Sequence, residues 1–145
     1  MGYVRITDRP EELFHYTRRD NLASILRDGR IKRMGDTECW FCSSLDDTLE
    51  LMRATVMVEG KPYVKLGGSI GRYPKFQPED YVILRLKPRY QNGEWVRWMQ
   101  EMPPGTPPEL LKAAENFSNL KLGFRGDLKF WPEPEIIEVK ALLAP

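Results

Sequence analysis

His15 is the only histidine in the chain. Imidazole is the side chain whose ordinary pKa lies nearest neutrality, so proton exchange or ring-nitrogen hydrogen bonding by a histidine can happen only there. It stands in Leu13-Phe14-His15-Tyr16-Thr17, followed at once by Arg18-Arg19-Asp20-Asn21-Leu22-Ala23-Ser24-Ile25-Leu26-Arg27-Asp28-Gly29. A histidine at the lip where a strand meets a helix suits a binding site, and it equally suits an imidazole satisfied within the structure. A second group is acidic. Glu133-x-Glu135, with Glu138 beyond, opens a terminal strand, and that spacing puts Glu133 and Glu135 on one face of an extended chain. Two like charges held close raise one pKa, which suits acid–base or hydrogen-bonding chemistry. Solvated acids guarding the start of a strand give the same pattern, and the prolines around them, Pro132 and Pro134, fit that.

Other candidates carry less chemistry. Cys39-x-x-Cys42 has the spacing of a redox or zinc motif, but residues three apart on a strand point to opposite faces. A redox pair wants a helix N-terminus at the first cysteine, and here the helix starts after the second. Zinc would need two further ligands, and the chain offers one histidine and no more cysteine. The pair is expected to be buried and structural, with no metal site. Cys42, Ser43 and Ser44 follow a strand, yet no spacing supports a Cys–His or Ser–His dyad. Gly67-Gly68-Ser69-Ile70-Gly71-Arg72 is glycine-rich but lacks the GxxxxGK[ST] pattern and reads as a flap or turn.

The elements that must position these residues follow from the pattern. Glu12 to Tyr16 reads as a strand in which Leu13, His15 and Thr17 face one way and Phe14 and Tyr16 the other. Thr17 is expected to cap the next helix with Asp20 at N3, Leu22, Ile25 and Leu26 give that helix an apolar stripe, and Gly29 closes it. Arg30 to Arg33 reads as extended and Gly35-Asp36 as a turn. Cys39 to Ser43 is the next strand, and Ser44 caps a helix with Asp46 and Asp47 in its first turn, where the helix dipole favours acids. Val56 to Asp80 is turn-rich and reads as a long loop or hairpin carrying Tyr63-Val64-Lys65-Leu66. Tyr81 to Leu86 is the clearest strand, and Glu94 to Met99 reads as another. Thr106-Pro107-Pro108-Glu109 opens a helix running to about Phe117. A terminal strand follows Glu133 and Glu135.

The chain is 145 residues long, one domain's worth, with 41% hydrophobic residues, a globular composition rather than a disordered one. Lysine and arginine number 22 against 21 acids, so no overall basic excess marks a dedicated nucleic-acid binder, although a local basic cleft is compatible with it. Two cysteines fit a reducing compartment, and no apolar run resembles a signal peptide or a membrane span; a cytoplasmic protein without a membrane partner is expected.

The His-Tyr-Thr strand ending, the Asn21-Leu22-x-x-Ile25-Leu26-x-x-Gly29 helix, and then Cys39-Trp40-Phe41-Cys42-Ser43-Ser44 running into Leu45-Asp46-Asp47-Thr48-Leu49 occur in an order that resembles compact ADP-ribosyltransferase-like domains of small prokaryotic or phage type. The resemblance covers roughly residues 11–55, with a looser match to a glutamate at the start of a late strand, Glu133 or Glu135. It implies an α+β fold of two small packed antiparallel-rich sheets with helices at the side, NAD as substrate, and a macromolecular acceptor, protein or nucleic acid. His15 would hydrogen-bond the ribose next to the nicotinamide. Tyr16 and an aromatic from Trp40 or Phe41 would pack around the ring, with Thr17 and Ser43 completing the nucleotide site. Glu135, or Glu133, would hold the ribose and stabilise the positive charge that builds as nicotinamide leaves. The aromatic strand carries Trp40 and Phe41 where the family has a tyrosine, which leaves a degenerate module that binds a nucleotide, nucleic acid or protein as the alternative. An RNA 2′-phosphotransferase would want several Arg and His in a phosphate pocket, and a single histidine speaks against it.

Overall fold

A run of Val, Ile and Leu without polar alternation predicts a strand buried on both faces, and Tyr81 to Leu86 takes that position in the fold. In a computed structural model, which describes residues 2–6, 9–33, 38–99 and 102–143, the chain runs β1 (Gly2–Ile6), β2 (Leu13–Arg18), α1 (Leu22–Asp28), β3 (Arg30–Ile31), β4 (Glu38–Phe41), α2 (Leu45–Thr55), β5 (Pro62–Val64), β6 (Ile70–Arg72), β7 (Tyr81–Leu86), β8 (Trp95–Met99), α3 (Pro108–Asn119), β9 (Leu122–Arg125), β10 (Leu128–Lys129), β11 (Glu135–Glu138) and α4 (Val139–Leu143). The turn expected at Gly35-Asp36 lies outside the described residues. The fold is α+β. A three-stranded antiparallel sheet has the order β11-β7-β2, a four-stranded one the order β1-β8-β9-β4, and β10-β3 and β5-β6 form two-stranded pairs. No helix of the described residues is long and apolar enough to cross a membrane.

Alternation in β2 sorts its side chains between two apolar cores. Leu13 joins Val82, Leu84 and Leu86 against Phe41, Trp95 and Phe124, filling the space between the two larger sheets. Phe14 and Ile83 face the other way and pack on Met52 of α2 and Val139 of α4. In β7, Val82, Ile83 and Leu84 are fully buried, so this strand anchors both cores at once. Among the described residues the two larger sheets are tied by a single backbone rung: Phe14 and Cys42 exchange both backbone hydrogen bonds, each 2.8 Å.

The end signals of the helices held in part. Gly29 ends α1 in the left-handed region at φ 66°, where glycine has no side chain to clash, and the Ser44 side chain accepts from the Asp47 N–H at 3.1 Å. Thr17 does not cap α1. The strand continues through Arg18, a 3-10 turn at Arg19–Asn21 intervenes, and the buried Thr17 hydroxyl accepts from Asn21 Nδ2 instead. The third helix begins one residue later than expected, with Pro107 at its N-cap and the Thr106 hydroxyl donating to the Pro103 carbonyl. Three of the described strands carried no clear signal in the sequence, among them the two-residue β10. β1 pairs along β8, and β9, Leu-Gly-Phe-Arg, is short and interrupted by glycine. Truncating Leu84 to alanine removes a fully buried side chain between the sheets and should cost about 2–5 kcal/mol in denaturant unfolding, while Ser44→Ala should cost about 1 kcal/mol.

Candidate functional site

Had the ladder between β2 and β4 continued past the Phe14–Cys42 rung, antiparallel spacing would pair Tyr16 with Trp40 next. Instead the strands part. The His15 ring fills the gap and its Nδ1 lies 3.0 Å from the Trp40 carbonyl. A carbonyl can only accept, so Nδ1 carries the proton and donates, and Nε2 of the neutral ring is the free acceptor. Burial pushes the His15 pKa below 6.5, with the Trp40 hydrogen bond opposing it. Behind the imidazole, the buried Phe41 ring lies with its centroid 5.3 Å away and tilted by 50°.

The parted strands open a cavity of about 350 Å³ lined by His15, Tyr16, Trp40 and Phe41, so the histidine and aromatics expected from the sequence converge. The Thr55 hydroxyl on α2 already donates to the Leu51 carbonyl at 2.7 Å, so the Tyr16 hydroxyl, 3.0 Å from it, is the donor of that pair. Burial raises the Tyr16 pKa above 10, so the phenol stays neutral. Trp40 lies across Gly123 of β9, where an added Cβ would stand 3.0 Å from its ring. A smaller hollow of about 110 Å³ adjoins the cavity, shares His15, Ile31 and Lys32 with it, and adds Thr17, Asn21 and Ser24. Ser43 is exposed and does not line the cavity.

Glu133 and Glu135 lie elsewhere. In the three-stranded sheet Glu135 stands in register with Arg85 and Phe14, while His15 stands in register with Leu84 and Ile136. Neighbouring rows point to opposite faces, so Glu135 and His15 sit on opposite faces of one sheet. Both glutamates line a shallow basin of about 220 Å³ with Glu12, Arg85 and Lys87. Arg85 Nε bonds Glu12 at 2.5 Å and its Nη1 lies 3.7 Å from Glu135. Glu138 pairs with Arg19 through two hydrogen bonds, which hold its carboxyl below the usual range.

The charges that do line the cavity are ones the sequence did not single out. Lys121, just before β9, places its ammonium 5.0 Å from the Trp40 ring centroid and 5.5 Å from that of Phe117, and no carboxylate pairs with it among the described residues. Lys32 bonds Asp28 at 2.9 Å, and with Arg27 it holds that carboxyl at about 2. Glu38, almost wholly buried, lies 3.4 Å from Arg125, which also bonds Glu94. Only recognition of β9 as a strand would have brought Lys121 to attention. Cys39 and Cys42 are free and buried as expected, and desolvation raises both thiols to about 11.

No protein-family model, curated protein or solved structure matches the chain.

The lone histidine makes the site easy to interrogate. An imidazole NMR titration should show a midpoint below 6.5 with Nδ1 as the protonated nitrogen. Because folding lowers this pKa, protonation favours the unfolded chain. Thermal stability should therefore fall as pH drops below the ordinary value of about 6.5, and His15→Gln should lose that part of the slope.

Proposed function

We propose that this protein is a nucleotide-binding module of ADP-ribosyltransferase-like build, taking NAD or an ADP-ribose-like ligand in the cavity between β2 and β4. The observation that carries the reading is that His15 shares its cavity with Tyr16, Trp40 and Phe41 while Glu133 and Glu135 stand on the far side of the sheet. His15 Nε2 offers an acceptor to a ribose hydroxyl, the Trp40 and Tyr16 rings offer apolar walls to a planar base or nicotinamide ring, and the Lys121 ammonium offers a diphosphate its counter-charge. The pairing of two packed antiparallel sheets, one carrying the histidine strand and the other the aromatic strand, supports the fold part of the reading.

Binding suits this cavity better than transfer through the late glutamates. Breaking the nicotinamide–ribose bond builds positive charge on the sugar, and an ammonium such as Lys121 in the same cavity opposes that charge rather than stabilising it. One observation favours retained ADP-ribose transfer to a protein or nucleic acid as a second reading: Glu38 brings a carboxylate to the cavity lining, although Arg125 neutralises it.

Calorimetry should give NAD or ADP-ribose binding that His15→Ala weakens about tenfold or more, the loss of one or two hydrogen bonds to a buried ligand. With labelled NAD and a mixture of protein and nucleic-acid acceptors, no transfer is expected. Transfer abolished by Glu135→Gln would overturn the reading, transfer abolished by Glu38→Gln alone would establish the second one, and absence of any nucleotide binding would sink both.

A further inference from the structure

Residues 60–78 carry Lys61, Lys65, Arg72 and Lys75 and no acid, in a chain whose remainder is net acidic. This segment forms the β5–β6 hairpin and the stretch leading to β7. All four cations are exposed, and none pairs with a carboxylate among the described residues. One face of the hairpin is built from lysine and tyrosine. Tyr63 stands opposite Gly71, whose missing side chain lets the Tyr63 ring and the Lys65 stem close over it; an added Cβ would lie 2.8 Å from the Tyr63 ring and 2.6 Å from Lys65 Cε. Tyr73 follows on the same face with its ring centroid 4.9 Å from that of Tyr63. From Tyr73 the face runs into a groove of about 440 Å³ at the foot of the hairpin, lined by Lys75, Phe76, Tyr81 and Arg18. There Phe76 stacks on Tyr81 at 5.1 Å, and the Arg18 guanidinium covers the Tyr81 ring at 5.5 Å.

We propose that this lysine–tyrosine face and the aromatic groove below it form a binding track for single-stranded nucleic acid. The occupant is argued from charge and shape together. Lysines without carboxylate partners spaced along a strip, Lys61 and Lys65 on the hairpin face and Lys75 in the groove, match a phosphate backbone, and aromatic rings set between them match unstacked bases, which a duplex keeps paired and covered. A lipid surface would instead engage the opposite face and the tip of the hairpin, where Val64, Leu66 and Ile70 are exposed. The track also borders the nucleotide cavity: Thr55 of α2 lines the cavity while its neighbour Val56 lines the groove, and the Tyr16 and Tyr81 rings stand 6.4 Å apart between them. This proposal does not rest on the nucleotide reading, because none of its residues lines the cavity.

Fluorescence anisotropy with a labelled short oligothymidylate tests it on the full chain. Affinity should fall steeply with salt, and Lys65→Gln should shrink the slope of log affinity against log salt by about 0.7. The double variant Lys65→Glu, Lys75→Glu should bind tenfold or more weakly with its melting temperature unchanged, since both side chains are exposed. Phe76→Leu, which keeps apolar volume under Tyr81, should also bind several-fold more weakly. His15→Ala should bind the oligonucleotide as the parent does, which separates this track from the cavity. Equal affinity of the parent and the double variant, tighter binding to the matching duplex, or binding only to vesicles of phosphatidylcholine and phosphatidylserine would each overturn the proposal.

Discussion

Two reciprocal backbone hydrogen bonds between Phe14 and Cys42 join the β2 sheet to the β4 strand, and the cavity exists because that ladder stops after one rung. Were it to continue, Trp40 would give its carbonyl to Tyr16, the strands would close, and no space would remain between them. Termination leaves a partly buried carbonyl that needs a donor. His15 supplies it, and in doing so fixes its own tautomer and turns its second nitrogen into an acceptor. One unmade rung thus produces the opening, the orientation of the histidine and the placement of the aromatic walls.

That geometry depends in turn on β7. A strand with Val82, Ile83 and Leu84 all excluded from solvent forces an apolar layer on each face of its sheet. On one face the layer is the four-stranded sheet with Phe41 and Phe124, and on the other it is α2 and α4. α2 is therefore held where Thr55 can receive the Tyr16 hydroxyl, and β9 where Gly123 can lie under Trp40. The same alternation that buries Phe14 beneath α2 turns His15 toward the other sheet, and because Glu135 shares the row of Phe14 it is carried to the face that His15 avoids.

Charge is distributed with the same economy. The near balance of acids and bases over the whole sequence conceals local imbalance. Acids concentrate in pairs that satisfy them, such as Asp28 with Lys32 and Arg27, and Glu138 with Arg19. The lysines and arginine of the β5–β6 segment, and Lys121 at the cavity, are left without such partners among the described residues. A balanced total therefore says little about what either surface attracts.

Much of this was legible along the chain. The His15 strand, the glycine stop at Gly29, the Ser44 cap, the β7 strand and the burial of Cys39 and Cys42 all follow from local signals: alternation, a left-handed stop, a side chain within reach of the next turn. These are determined by neighbours within a few residues, so the sequence by itself fixes them, and it also brought His15, Tyr16, Trp40 and Phe41 forward as a group. What tertiary structure decided was the company they keep. β9 has too little pattern of its own to be seen, and it becomes a strand because β4 and β8 pair with it from either side. Lys121 therefore reached the cavity unannounced, and Glu135, which the family resemblance would set beside His15, is carried by its register to the opposite face of the sheet. Register and pairing are non-local: they are set by which strands meet, and a shift of one residue reverses every side chain on the strand.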